Sequence, residues 1–131
     1  MRVRSLASFT FTAMILFGSA CAESGPSVAM SDGQRFDPGT LTVRAGETIT
    51  FSNESSDAHS VTAYENRIAE GAEYFASGGF RREGEARDGV STGLLRGGED
   101  FSVQLDQPGE YDYFCIPHEE QGMRGTIIVE E

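Results

Sequence analysis

The chain has 131 residues, ten basic and 21 acidic, for a formal net charge of −11, and every one of its cations is arginine. That balance excludes non-specific nucleic-acid binding, whose affinity comes from cations on phosphates, and the length leaves room for one ordinary domain. With 38% hydrophobic and 24% charged residues the chain can still bury a core, while 16 glycines and four prolines point to many turns.

In chain order, the first segment stands outside the fold. Arg2 and Arg4 precede an apolar run from Leu6 to Phe17, and the small residues Gly18, Ser19 and Ala20 lead into Cys21. Residues 1–20 therefore have the layout of an export signal, with an apolar run too short to span a bilayer. The polar, Gly/Pro-containing stretch that follows argues against the alternative of a buried N-terminal helix. The end of the segment, Phe-Gly-Ser-Ala-Cys21, resembles the lipobox of bacterial-type lipoproteins, with Gly18 where Leu is usual. That resemblance implies a lipid on Cys21 that anchors the mature chain to the outer face of a membrane. A plain signal peptide cleaved nearby is the alternative. Arg2 and Arg4 are not adjacent, so a twin-arginine signal is not supported. Residues 21–27 read as a processed N-terminus and linker, and residues 28–131 as the domain.

Within the domain the periodicity is that of strands. Leu41 and Val43 alternate with Thr40 and Thr42, and after the turn Ala45-Gly-Glu47, Ile49 and Phe51 alternate with Thr48, Thr50 and Ser52. His59 opens a short His-Ser-Val-Thr strand. Phe101, Val103 and Leu105 share one strand face, Gln107-Pro-Gly109 breaks it, and Tyr111, Tyr113 and Cys115 share the next. Ile127 and Val129 close the chain. Residues 65–98 differ: eight glycines and scattered aromatics predict a long structured excursion with one helical turn near Ile68–Phe75. Strands on either side of a long crossing fit an all-β Greek-key sandwich.

Cysteine usage sharpens the reading. An exported domain normally pairs its thiols, yet Cys21 lies at the processing site and Cys115 is left alone. A lone thiol outside the cytoplasm must be buried, acylated or held as a metal thiolate. Three soft or imidazole donors fall in one loop, Cys115-Ile-Pro-His118-Glu-Glu-Gln-Gly-Met123, a C-x2-H-x4-M pattern. Pro117 fixes φ just before His118 and stiffens the turn. Gly122 gives the loop freedom to return. A fourth donor has to come from elsewhere, and His59 is the only other histidine. Two imidazoles, one thiolate and a weak thioether form the donor set of an electron-transfer copper centre. Taken singly, each residue has an ordinary packing role; their joint spacing carries the inference. Met30 has no place in the set and is assigned to packing; Tyr74, Phe75 and Phe80 are assigned to the core, with a rim near the copper as the alternative.

The C-x2-H-x4-M loop, the aromatic Gly109-Glu-Tyr-Asp-Tyr-Phe-Cys115 strand leading into it and the upstream His59 resemble plastocyanin and pseudoazurin. The stretches Glu70–Phe80 and Glu85–Gly89 are similar to the halocyanins, membrane-attached blue copper proteins of the cupredoxin group. The likeness runs from about Phe36 onward. It implies that His59, Cys115 and His118 are the strong equatorial ligands and Met123 the axial one, around one copper cycling between Cu(I) and Cu(II). It also implies that electrons leave through the ring of His118. Two positions depart from the pattern: Ser60 stands where many plastocyanins have Asn, and Ile116 where Ser or Thr is usual. Both tune hydrogen bonding around the thiolate.

The expected function is therefore single-electron transfer between redox proteins of an electron-transport chain at the envelope, by a monomer that is not an enzyme. Copper oxidases and nitrite reductases need a second site with further histidines, and both are already used. Copper delivery is the alternative, but no exposed Met-rich or His-rich tract is present. A metal-free adhesion module would leave the donor spacing an accident. Glu119 and Glu120 directly follow His118, which favours a basic docking surface on the partner and stabilises Cu(II); acidity spread over the whole chain is the competing explanation.

Overall fold

The computed structural model describes residues 24–131; Cys21 and the export signal lie outside the described residues. The elements are β1 (Ser27–Ser31), β2 (Arg35–Asp37), β3 (Thr40–Arg44), β4 (Thr48–Asn53), β5 (Thr62–Ala63), α1 (Glu83–Asp88), α2 (Val90–Gly93), β6 (Asp100–Gln104), β7 (Gly109–Phe114), a 3₁₀ turn (Ile116–His118) and β8 (Arg124–Glu130). They form two four-stranded sheets, ordered β2-β1-β4-β6 and β3-β8-β7-β5. Each sheet is mixed: β1 runs parallel to β4 and β3 parallel to β8, with the remaining pairs antiparallel. The expected β-sandwich is present.

Alternation decides which side chains meet between the sheets. In β4, Ile49, Phe51 and Asn53 are buried while Thr48, Thr50 and Ser52 are not, and in β8 Gly125, Ile127 and Val129 face inward. The centre is aromatic. Tyr113 packs edge-on against Phe36 at 4.7 Å and Phe51 at 5.3 Å between ring centroids, the arrangement favoured by the ring quadrupoles. Its ring crosses Gly125, its register partner on β8, where a Cβ would collide with the phenol. Met30 is fully buried in this core, as its assignment to packing requires.

Two features differ from the sequence expectation. The hairpin β1–β2 is not among the expected strands, although Val28 and Met30 alternate and the turn dipeptide Asp32-Gly33 follows, with Gly33 at φ 97°. Strand β1 starts at Ser27, and the Pro26 carbonyl accepts the Thr50 N–H at 3.0 Å, so the end of the linker is already tied to β4. In the excursion, Ile68–Phe75 is not helical; the helices come later, as α1 and α2. Gly71 at φ 77° interrupts any helix there. Phe75 and Ala76 then run extended beside β5, with Ala63 N–H donating to the Phe75 carbonyl at 3.1 Å. Phe75 is buried in the core and Tyr74 packs against it. Phe80 sits in a cradle of Gly78, Gly89 and Gly93, so these aromatics serve packing.

Candidate metal centre

Cys115 follows the last residue of β7 and leads directly into the 3₁₀ turn, in which Pro117 occupies the first turn. Backbone bonds close the loop on itself: His118 N–H donates to the Cys115 carbonyl at 3.2 Å, Met123 N–H to the His118 carbonyl at 3.1 Å, and Cys115 N–H to the Met123 carbonyl at 3.0 Å. Gly122, at φ 83°, makes the reversal before Met123. The three loop donors are thus held by one hydrogen-bonded ring.

His59 arrives from the other side. The expected His-Ser-Val-Thr strand is shorter than its sequence suggests, being only Thr62–Ala63. His59 instead forms an isolated bridge with Leu95, exchanging N–H···O bonds of 3.0 and 2.7 Å. Its Nε2 lies 2.8 Å from Ser55 Oγ, which in turn donates to Asn53 Oδ1 at 2.9 Å. Asn53 Nδ2 donates to the carbonyls of Asp57 and Leu95 at 2.7 and 2.9 Å. Since Ser55 Oγ gives its own proton to Asn53, it accepts one from Nε2, which leaves Nδ1 of His59 as a bare lone pair.

That lone pair points at the other donors. His59 Nδ1 is 3.1 Å from His118 Nδ1 and 3.7 Å from Cys115 Sγ, and Cys115 Sγ is 3.4 Å from His118 Nδ1. A triangle with those three sides has a centre about 2.0 Å from each corner, close to the roughly 2.0–2.3 Å at which imidazole and thiolate donors hold a first-row ion. The donor set fits a metal of the copper type. His59, Cys115 and Met123 are fully buried, whereas His118 is half-buried and Pro117 beside it is exposed.

Burial acts in opposite senses on the two buried donors, favouring the metal-ready form of His59 and the protonated form of Cys115. Burial, reinforced by His118, holds His59 below the ordinary histidine range and so keeps its ring neutral. Burial raises the Cys115 thiol, an effect opposed by the N–H groups of Ser60 and His118. Metal entry must therefore displace the thiol proton.

The two departures at Ser60 and Ile116 meet in space. Ser60 N–H points at Cys115 Sγ at 3.4 Å, and Ser60 Oγ accepts the Ile116 N–H at 2.8 Å. Ser60 thus supplies with its hydroxyl a tie across the two ligand segments. Three further residues were not read from the sequence. Asn53 and Ser55 lie in a turn-rich cluster just before His59, whose Asn-x-Ser-x-Asp pattern signals side-chain-to-backbone bonding. Arg87 had no local signal. Its guanidinium donates to both carboxylate oxygens of Glu119, at 2.7 and 3.2 Å. Hydrogen bonding from Arg87 holds the Glu119 carboxyl below the usual range. Of the two acids after His118, only Glu120 is therefore exposed without a cationic partner among the described residues.

The comparisons with known proteins point the same way. Residues 24–130 match the family model described as copper binding proteins, plastocyanin/azurin family. The chain is 33% identical over 130 residues to the chloroplastic plastocyanin of Chlamydomonas reinhardtii, covering 98% of this chain and 82% of the relative. Among solved structures it is similar to amicyanin from Paracoccus versutus, with a TM-score of 0.56, 26% identity and coverage of 82% of this chain and 83% of that one. It also superposes on the copper-containing nitrite reductase of Thermus scotoductus with a TM-score of 0.59 and 25% identity, over 82% of this chain but only 23% of the enzyme. With copper as the cofactor of its Cys-His-His cluster, the chain belongs to the plastocyanin/azurin family of copper-binding cupredoxins.

Proposed function

We propose that the protein is a halocyanin-like single-electron carrier held at the outer face of a membrane by a lipid on Cys21. In this reading His59, Cys115 and His118 are the equatorial ligands of one type 1 copper and Met123 the axial one. Membership of the family implies electron transfer through a single copper; the anchor, the subtype and the individual ligand roles are our reading. When bound, copper supplies a one-electron Cu(I)/Cu(II) couple. The protein's own residues supply the rest. Ser55 fixes the His59 tautomer, Ser60 and the loop ring hold Cys115 and His118 in place, and the sandwich excludes water from all donors except His118. A rigid donor set costs little rearrangement when charge changes, and the half-buried imidazole offers the one route to a partner.

The observation that carries the reading is the convergence of three donor atoms within 3.7 Å of one another. An enzymatic role is opposed by the histidine count, since both histidines sit in this one cluster. Copper delivery is opposed by burial, because His59, Cys115 and Met123 offer no exposed surface from which an ion could be handed on. The test is the visible spectrum of the purified mature domain after addition of Cu(II), with Cys115→Ser as control. An intense thiolate-to-copper band in the wild type and none in the control is the expected result; a colourless protein, or the same spectrum from both, refutes the site. Mass spectrometry of the membrane-extracted protein tests the anchor, for which a diacylglycerol adduct on Cys21 is expected.

A further inference from the structure

One cation links both sides of the ligand loop. Arg87 projects from α1, in the long excursion, and its guanidinium lies 4.4 Å over the ring of Phe114, the residue before Cys115. The same group grips Glu119, the residue after His118, through two N–H···O bonds. Glu119 Oε1 also accepts the Tyr64 hydroxyl at 2.9 Å, and Tyr64 stacks on Phe114 with centroids 4.2 Å apart and planes 25° apart. Arg87, Glu119, Tyr64 and Phe114 therefore close a ring that begins before one metal donor and ends after another.

The base from which Arg87 reaches is itself braced. Six residues are too few to hold a helix by propensity, yet α1 is fixed by a reciprocal pair: Glu65 N–H donates to Glu83 at 2.9 Å and Glu83 N–H to Glu65 at 3.2 Å. Glu83 Oε1 then receives Arg87 Nε and Nη2 at 3.0 and 2.7 Å. An isolated surface ion pair contributes little, but a bidentate fork within a network, stacked on a buried ring, is the exception. The Arg87 side chain is 38% exposed and that of Glu119 22%, so the fork forms at the surface without being immersed in solvent.

We propose that Arg87 is a positioning residue that pins the ligand loop, so that the His118 donor is already in place before metal arrives. The pinning is a property of the metal-free chain; its consequence for the redox potential rests on the copper reading above. The fork matters as much as the charge, so lysine cannot replace it. Because Arg87 also offsets Glu119, the two residues oppose each other electrostatically at the centre while acting together mechanically.

These two roles separate in one set of variants, R87M, R87K, E119Q and the double variant R87M/E119Q. In the metal-free proteins, amide hydrogen exchange is followed at His118, Gln121, Gly122 and Met123, whose N–H groups all bond within the loop. R87M, R87K and the double variant are expected to exchange about five- to tenfold faster at these amides, with β4 and β8 unchanged. After copper loading, the potential is expected to fall in R87M, rise in E119Q and return close to wild type in the double variant, whose net charge is restored. Loop exchange in R87M equal to wild type overturns the proposal, as does wild-type exchange in R87K. Failure of the wild type to take up copper would refute the proposed function and leave the exchange result to be judged on its own.

Discussion

In the middle of the sandwich Phe36, Phe51 and Tyr113 hold one another through ring contacts, whereas at the metal end of the same strands Asn53, Ser55 and Ser60 hold the backbone through hydrogen bonds. The first region needs apolar volume in the right place, and many arrangements of side chains could fill it. The second needs directed bonds, because a donor atom displaced by a fraction of an ångström no longer shares a centre with the other two. Stability and function are therefore carried by different chemistry in the middle of the sandwich and at its metal end.

Substitutions can test that division. The largest loss of stability is expected from Phe51→Ala, which removes a fully buried ring in contact with Phe36, Phe101 and Tyr113. A cost of about 3–5 kcal/mol is expected by denaturant titration of the metal-free protein, while the copper band of the folded fraction keeps its position. Next is Asn53→Ala, which takes one donor from the carbonyls of Asp57 and Leu95 and the acceptor from the buried N–H and hydroxyl of Ser55. About 2–3 kcal/mol is expected, together with faster copper loss, because the segment bearing His59 loosens. A spectral change from Phe51→Ala and none in copper retention from Asn53→Ala would erase the distinction.

Ser55→Ala sharpens it. The hydroxyl lies at hydrogen-bond distance from His59 Nε2, so stability should fall by only about 1 kcal/mol. Copper affinity, measured by competition with a chelator, should fall by about 10- to 100-fold, the cost typical of losing a partner that orients a metal-bound histidine. Smallest of all is Glu120→Gln, at an exposed position with no side-chain hydrogen bond among the described residues. Unfolding free energy should stay within about 0.5 kcal/mol of wild type, and only the salt dependence of association with a redox partner should change.

What could be read in advance follows the same division. Strands β3, β4, β6, β7 and β8 announce themselves because burial on one face forces alternation, and the loop donors because they are local, falling within one C-x2-H-x4-M stretch. Placing His59 beside them took elimination and resemblance, since nothing local says where a strand end lands. The excursion departs from the helical expectation at Ile68–Phe75 because apolar residues there pack against the sandwich without forming a helix, and Gly71 outweighs helical spacing. Arg87 was illegible because its partner Glu119 lies 32 positions away and the sequence carries no sign of which acid an arginine will meet. Glu119 and Glu120 look alike in sequence, yet one is gripped by that arginine and the other is exposed.

Anomalous diffraction at the copper edge from crystals of the loaded protein tests the convergence of the donors most directly. One strong peak is expected, bounded by His59 Nδ1, Cys115 Sγ and His118 Nδ1. A peak on the acidic surface with the cluster empty, or an ion held by Cys115 and His118 with His59 turned away, would contradict it.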